Sequence, residues 1–264
     1  MGRPRGEPDG SRVQAVTEPY TYLAQVYDGW TAENHYEKWC DFVEEEWRAG
    51  PLEVGEVLEL CCGTGTVLQH LAGRGYAVTG LDRSVNMLKR AEEKLGPSVP
   101  LVRAELPEVP VDGTFDAVLC VFDSVNYLCD ATAVRETLRS AHGVLRPGGT
   151  FIFDVNSHRK LSEMFGSSHY GDDLDDFAYV WRNRFEPDTS CCDFLITLFV
   201  RSPDGTYTRH EEHHRQRAYE RTHMASLAKS AGFSGVEVYD DYSRQQAGPE
   251  TMRETWVLTK TSEG

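Results

Sequence analysis

No stretch of about 18 consecutive apolar residues occurs in this 264-residue chain, so no helical membrane span is expected. The opening MGRPRGEPDGSR has no apolar core of a secretory signal, and residues 1–16 read as a polar, disordered tail. Basic residues are in the minority, 27 Lys and Arg against 42 Asp and Glu, and the formal charge is −15 with no basic patch. Such a field repels phosphate backbones, so nucleic acid is not an expected partner. The 7 cysteines include no C-x-x-C; Cys61–Cys62 and Cys191–Cys192 are adjacent pairs, a spacing that fits no zinc template. Reduced thiols in a cytoplasmic protein, with no metal, are the expectation. No internal repeat is present.

What remains is ordinary globular material, 40% hydrophobic and 26% charged. The length fits one α/β domain with an elaboration. Residues 17–50 form an N-terminal helical cap in this reading, with helices at 17–28 and 33–49; Tyr36, Trp39, Val43 and Trp47 recur at helical spacing and Gly50-Pro51 stops the second. Short apolar runs then alternate with amphipathic helices: VLEL at 57–60, YAVTGL at 76–81, VPLVRA at 99–104, FDAVLCVF at 115–122 and TFIFDV at 150–155. Ser84 and Asp130 are placed to cap two of the helices, and RPGG at 146–149 to turn the second into the next strand. That rhythm implies parallel strands with right-handed crossovers in a doubly wound sheet. From 157 to 218 the pattern is antiparallel, with strands at 177–185, 192–200 and 206–219 and a loop at DDLDD, 172–176. Residues 51–156 and 219–264 are then one cofactor-binding domain and 157–218 a β lid, with a helix at 222–231 capped by Thr222.

The strand–turn–helix VLELCCGTGTV poses the functional question. Gly63 and Gly65 suit close backbone approach to a ligand, but Leu68 stands where a dinucleotide fingerprint needs its third glycine. Glu59, just before the turn, repels a pyrophosphate and favours a cationic, phosphate-free ligand; S-adenosylmethionine is such a ligand. Asp82, ending the second strand, can accept both ribose hydroxyls, a role that suits NAD equally. Met87 and Leu106 are candidates to pack on adenine, and Glu105 to accept from its amino group.

The stretches VLELCCGTG (57–65), GLDRSVNML (80–88), FDAVLCVFDSVNYL (115–128) and LRPGGTFIFDV (145–155) resemble the class I S-adenosylmethionine-dependent methyltransferases, and in particular small-molecule enzymes such as bacterial amino-sugar N-methyltransferases. The resemblance implies a Rossmann-like, mostly parallel seven-stranded sheet with the N-terminal cap and an antiparallel insertion after strand five. It implies that Glu59, Gly63, Gly65, Asp82, Met87, Glu105 and Leu106 hold the cofactor, that Tyr36 and Trp39 close over it, and that Tyr27 and Tyr127 face the acceptor. The cofactor set also takes in Cys61 and Phe122. The amino-sugar enzymes carry a histidine at the position of Tyr127.

Methyl transfer from a sulfonium is an in-line displacement that needs alignment and a dry pocket. FDSVNYL, past the fourth strand, supplies Asp123 and Tyr127 as catalytic candidates with Tyr27, and Asn126 to orient the acceptor. Asn156 and His214 are candidate acceptor contacts. In HEEHH, His210, Glu212 and His214 share one strand face and Glu211 and His213 the other. It reads as a charged strand of the lid, and the lid's edges offer a homodimer surface. The expected partner is a small molecule, methylated on nitrogen or oxygen. An NAD-dependent oxidoreductase and a macromolecule methyltransferase are the alternatives.

Overall fold

The computed structural model describes residues 17–261, so the expected tail at 1–16 lies outside the described residues. The chain runs α1 (Tyr27–Trp30), α2 (Tyr36–Ala49), β1 (Glu56–Leu60), α3 (Thr66–Gly73), β2 (Ala77–Asp82), α4 (Val85–Leu95), β3 (Leu101–Arg103), β4 (Phe115–Cys120), α5 (Ala131–Val144) and β5 (Leu145–Asn156). There follow β6 (His169–Asp173), β7 (Phe177–Glu186), β8 (Cys191–Arg201), β9 (Tyr207–Arg217), α6 (Arg221–Ser230), β10 (Phe233–Asp240) and β11 (Arg253–Lys260). One sheet has seven strands in the order β10-β11-β5-β4-β1-β2-β3, and a second has four in the order β6-β7-β8-β9. In the first, β11 runs antiparallel to β5 and β10, while β1 pairs in parallel with both β2 and β4. The order therefore reverses between β1 and β4, where open α/β sheets bind ligands. This is the expected Rossmann-like sheet with an antiparallel insertion after β5.

Strand alternation sets the two faces. Leu58, Leu60, Val118, Phe151, Phe153 and Trp256 pack with Val134 and Leu138 of α5 and Met224 and Leu227 of α6. Val57, Ala117, Leu119, Ile152 and Val257 point the other way, onto Trp39, Phe42 and Val43 of α2 and Leu68 and Leu71 of α3. Each large side chain buried in these layers contributes about 1.5–3 kcal/mol. Ser84 caps α4 by accepting from the Met87 N–H, and Asp130 caps α5 by accepting from Thr132, as the sequence indicates.

Several local expectations fail for identifiable reasons. The helix at 17–28 is replaced by a 3-10 turn at Leu23–Gln25 and the four-residue α1. Tyr20 has φ +65°, and Glu212 of the lid accepts the N–H groups of Tyr20, Tyr22 and Leu23, so these groups serve the lid rather than a helix. The segment's apolar side chains pack on the lid sheet instead, Leu23 with Ile196 and Leu198. RPGG lies inside β5, with Gly148 at φ +83°, and the register against β4 shifts there. DDLDD is not all loop, since Asp172 and Asp173 pair in β6. α6 begins at Arg221, not after a Thr222 cap: the Arg221 guanidinium bonds the Ala247 and Gly248 carbonyls and reaches Glu254 at 2.8 Å.

Candidate active site

The glycine turn follows β1 directly. Cys61 and Gly63 both take positive φ, and the Gly63 N–H donates to Asp82 Oδ2 at 2.9 Å across the neighbouring strand end. The Ser84 N–H donates to the other Asp82 oxygen at 2.8 Å. Two bonds leave a carboxylate with spare lone pairs, and those of Asp82 border the cavity. A Cβ on Gly63 would meet open space, while one on Gly65 would strike Leu95 Cδ1 at 2.8 Å. Gly63 thus leaves room at the cavity and Gly65 lets the turn pack on α4.

Glu59 lies at the bottom of this cavity, 2% exposed, and its Oε2 has no hydrogen-bond partner among the described residues. Burial, then the charge of Asp82, pushes its carboxyl up to about 8. An orphaned buried acceptor with a reluctant charge is a seat for a cation. Glu59, Asp82 and Glu105 against Arg83 make this cavity acidic on balance, and Met87, Ala104, Leu106 and Leu128 give it an apolar side. Those are the acceptors and walls that an ammonium, a ribose and an adenine require. S-adenosylmethionine fits them; a pyrophosphate does not.

The end of β4 forms the far wall. Phe122 and Asp123 both have positive φ, +61° and +51°, an arrangement that side-chain-bearing residues rarely adopt and that persists only when surroundings enforce it. Asp154, fully buried on β5, enforces it. Its two oxygens accept the N–H groups of Phe122 and Asp123, Tyr242 donates to it at 2.8 Å, and Arg253 lies 3.4 Å away. Phe122 is thereby turned into the cavity.

A second cavity lies behind that wall, lined by Leu23, Trp30, Asp123, Asn156, Lys160, Phe165, Trp181, Phe194, His214, Gln216 and Arg253. Tyr20, Tyr27, Phe122 and Tyr127 border both cavities. Burial raises the hydroxyls of Tyr20, Tyr27 and Tyr127 above the usual tyrosine range. The Tyr20 hydroxyl donates to Tyr127 at 2.8 Å, Tyr127 meets His214 Nδ1 at 2.9 Å, and His214 Nε2 meets Glu212 Oε2 at 3.1 Å. Burial pushes Glu212 up, but the bonds from His214 and the Leu23 and Tyr22 N–H groups outweigh it and hold the carboxyl below its usual range.

Most of the residues expected at the site converge. Tyr36, Glu59, Cys61, Gly63, Asp82, Met87, Glu105 and Leu106 line the first cavity, Asn156, Asp123 and His214 the second, and Tyr27, Phe122 and Tyr127 both. Three sit elsewhere. Gly65 caps α3 against α4 and does not line the cavity. Trp39 lines neither cavity; it stacks on Tyr242 at 5.1 Å and props Phe122 from behind at 5.6 Å. Asn126 is wholly buried and spends its amide on the Asn156 and Arg217 carbonyls and the Asn156 N–H, a strut rather than an acceptor contact. Asp123 is also committed, to Gln216 at 2.6 Å and Arg253 at 3.3 Å. The sequence reading gave no role to Tyr20, Asp154, Lys160, Gln216 and Arg253, and placed Glu212 only on the face it shares with His210 and His214. A lone acid in the apolar run TFIFDV was the available signal for Asp154.

Residues 57–149 match the family model described as "Methyltransferase domain". A Bacillus subtilis protein carrying a methyltransferase name, YqeM, is 33% identical over 89% of this chain and 94% of its own length. The solved S-adenosylmethionine-dependent methyltransferase of Clostridium acetobutylicum superposes with TM-score 0.82 at 30% identity, over 92% of this chain and 99% of that one. A Streptomyces fradiae enzyme named dTDP-3-amino-3,6-dideoxy-alpha-D-glucopyranose N,N-dimethyltransferase is 24% identical over 69% of this chain and 71% of its own. The chain belongs to the S-adenosylmethionine-dependent methyltransferases. Among the described residues no helix is long and apolar enough to cross a membrane.

Proposed function

We propose that this enzyme methylates a small molecule on nitrogen or oxygen, with the acceptor seated in the second cavity. The observation that carries this reading is the shared wall: Tyr20, Tyr27, Phe122 and Tyr127 line both of two cavities of different chemistry. S-adenosylmethionine supplies an electrophilic methyl carbon on a sulfonium. Glu59 would take its ammonium, Asp82 its ribose hydroxyls, and Met87 and Leu106 its adenine. The tyrosine wall would align an acceptor behind the methyl and keep water out, the two contributions that matter most for a displacement of this kind.

The second cavity lies between the N-terminal segment, the lid sheet and the ends of β4 and β5, and its volume of about 840 Å³ suits a small molecule. Its aromatic side is Trp30, Phe165, Trp181 and Phe194. Its charges are Lys160 and Arg253 against Asp123, and Arg253 is already paired. Lys160 has no carboxylate within ion-pair distance among the described residues, and burial followed by the Arg253 charge lowers its ammonium below the usual lysine range. An acceptor carrying an acid group and an apolar or ring surface fits that lining. Nitrogen as the target atom is supported by the amino-sugar relative. The free thiols fit a reducing, cytoplasmic setting, and the outer edge of the lid, β6, is where a second copy would pair.

A methyl-transfer screen with isotope-labelled cofactor against amino sugars, amines, phenols and carboxylic acids tests this reading; failure of all of them in a protein that binds S-adenosylhomocysteine would remove it. Lys160→Met is expected to raise KM for acid-bearing acceptors by roughly 10-fold or more, the worth of a hydrogen bond to a charged group, while leaving KM for the cofactor unchanged.

A further inference from the structure

We propose that His214, clamped by Glu212, is the buried site that takes the acceptor's proton, and that the proton reaches it through the Tyr127 hydroxyl. The inference rests on the reading of the second cavity as the acceptor's and adds to it the route by which that acceptor is deprotonated.

The direction of the hydrogen-bond chain follows from Glu212. Three backbone N–H groups, from Tyr20, Tyr22 and Leu23, point at its two oxygens at 2.7, 2.6 and 2.9 Å, so it is ionised and can only accept. His214 Nε2, 3.1 Å from the same carboxylate, must then carry the proton. In the neutral imidazole that leaves Nδ1 bare, and Tyr127, 2.9 Å away, then donates to it. The Tyr127 oxygen is in turn the acceptor for Tyr20 at 2.8 Å. The chain therefore points from the wall between the cavities toward the lid. Glu212 and His214 are 0% and 2% exposed, so both sit away from bulk solvent.

The other carboxylate and the other histidine within reach are occupied. Both oxygens of Asp123 are engaged by Gln216 and Arg253. His213 faces the other side of β9 and bonds Asp193 at 3.0 Å. Around His214 stand Glu212 and Gln216 on β9, Tyr20 at a ring distance of 5.0 Å, and Tyr127, with Asp123, Lys160 and Arg253 in the same cavity lining.

The step balances as follows. The acceptor's lone pair forms the new bond to carbon while the carbon–sulfur pair stays on sulfur. The acceptor's proton passes to the Tyr127 oxygen as Tyr127's own proton passes to His214 Nδ1. The product state is an imidazolium beside a carboxylate, a pairing that a dry interior favours. The route serves acceptors that arrive still protonated, such as a phenol or an alcohol, and also an ammonium, which must give up its proton along the same path before its lone pair can attack. Glu212 is a positioning residue here: it fixes which histidine nitrogen is free and holds the N-terminal segment that carries Tyr20.

The test is the 15N spectrum of histidine-labelled protein with S-adenosylhomocysteine bound, His214 being assigned by the loss of its signals in His214→Asn. The expected result at neutral pH is the Nε2–H tautomer with Nδ1 as a hydrogen-bond acceptor. In Glu212→Gln the side-chain amide displaces the Nε2 proton, so the tautomer is expected to switch to Nδ1–H. Turnover on the acceptor returned by the screen should then fall by roughly 100-fold or more, the usual worth of a general base, with Glu212→Asp recovering part of it. A wild-type Nδ1–H tautomer, or parent-like turnover in Glu212→Gln, would overturn the proposal. Should Glu212→Gln not fold, the wild-type spectrum and the turnover of Tyr127→Phe decide the same question. A melting shift with S-adenosylhomocysteine reports the first cavity separately: its absence counts against the methyl-transfer reading, while an intact shift with the wrong tautomer counts against the relay alone.

Discussion

Glu59→Gln is expected to lose the cofactor and keep the fold. In the free protein this buried carboxyl holds a proton up to about pH 8, because burial and Asp82 both oppose its charge. Its unfolded counterpart ionises near the ordinary carboxylate value, so the native state binds the extra proton between the two. By linkage, the penalty is absent below the unfolded pKa, grows as pH rises from there and is complete above about 8. Glutamine carries no such penalty, so at pH 8 the free variant should melt no lower than the parent. Binding runs the other way. The orphaned Oε2 is the seat proposed for the ligand's ammonium, and truncating one partner of a buried charge pair costs about 2–5 kcal/mol. Affinity for S-adenosylhomocysteine should therefore drop by roughly two to three orders of magnitude. Calorimetric titration and a melting curve check both halves; a variant that binds like the parent would show that the ammonium lies elsewhere.

Asp154→Ala should be the most damaging single change to the scaffold. One carboxylate satisfies two backbone N–H groups at the positive-φ pair Phe122–Asp123, the Tyr242 hydroxyl and the Arg253 guanidinium. Its removal takes from a buried arginine one of its two carboxylate partners, leaving only Asp123, and unbraces a strained turn, and breaking a buried pair costs about 3–5 kcal/mol. At roughly 2–4 °C per kcal/mol for a chain of this size, the melting temperature should fall on the order of 10 °C. The wall between the cavities should loosen with it, so turnover should fall even at temperatures where the variant stays folded. A loss below about 1 kcal/mol in urea unfolding would mean that Phe122 and Asp123 hold their conformation without Asp154.

These two acids mark what was legible in the sequence and what was not. Glu59 could be read because its neighbours in the chain are also its neighbours in space: strand, carboxylate and glycine turn form one local unit, and the alternation of VLEL even assigns its face. Asp82, Met87, Glu105 and Leu106 follow for the same reason: Asp82 ends β2, Met87 lies in the first turn of α4 that follows it, and Glu105 and Leu106 come just past β3, strands whose place in the sheet the βα rhythm dictates. Asp154 acts on residues brought beside it only by sheet pairing, and Glu212 acts on backbone atoms nearly two hundred positions away. Nothing local distinguishes Glu212 from Glu211, which faces the other side and meets Arg182 and Arg209. The N-terminal aromatics show the same limit. Their spacing satisfies a helix, but their partners are the lid strands, and tertiary packing with a carboxylate clamp decided their conformation. Gly65 was expected at the ligand from the glycine turn and Trp39 from the family resemblance; neither lines a cavity, Gly65 packing on α4 and Trp39 behind Phe122.

The most direct test of the central claim is the proton count on cofactor binding. S-adenosylhomocysteine titrated calorimetrically near pH 7, in two buffers of different ionisation enthalpy, should release close to one proton per site as its ammonium forces Glu59 to ionise. NAD in the same cell should give no heat. Binding of S-adenosylhomocysteine without proton release, or saturable binding of NAD, would contradict the assignment of this cavity to a cationic, phosphate-free ligand.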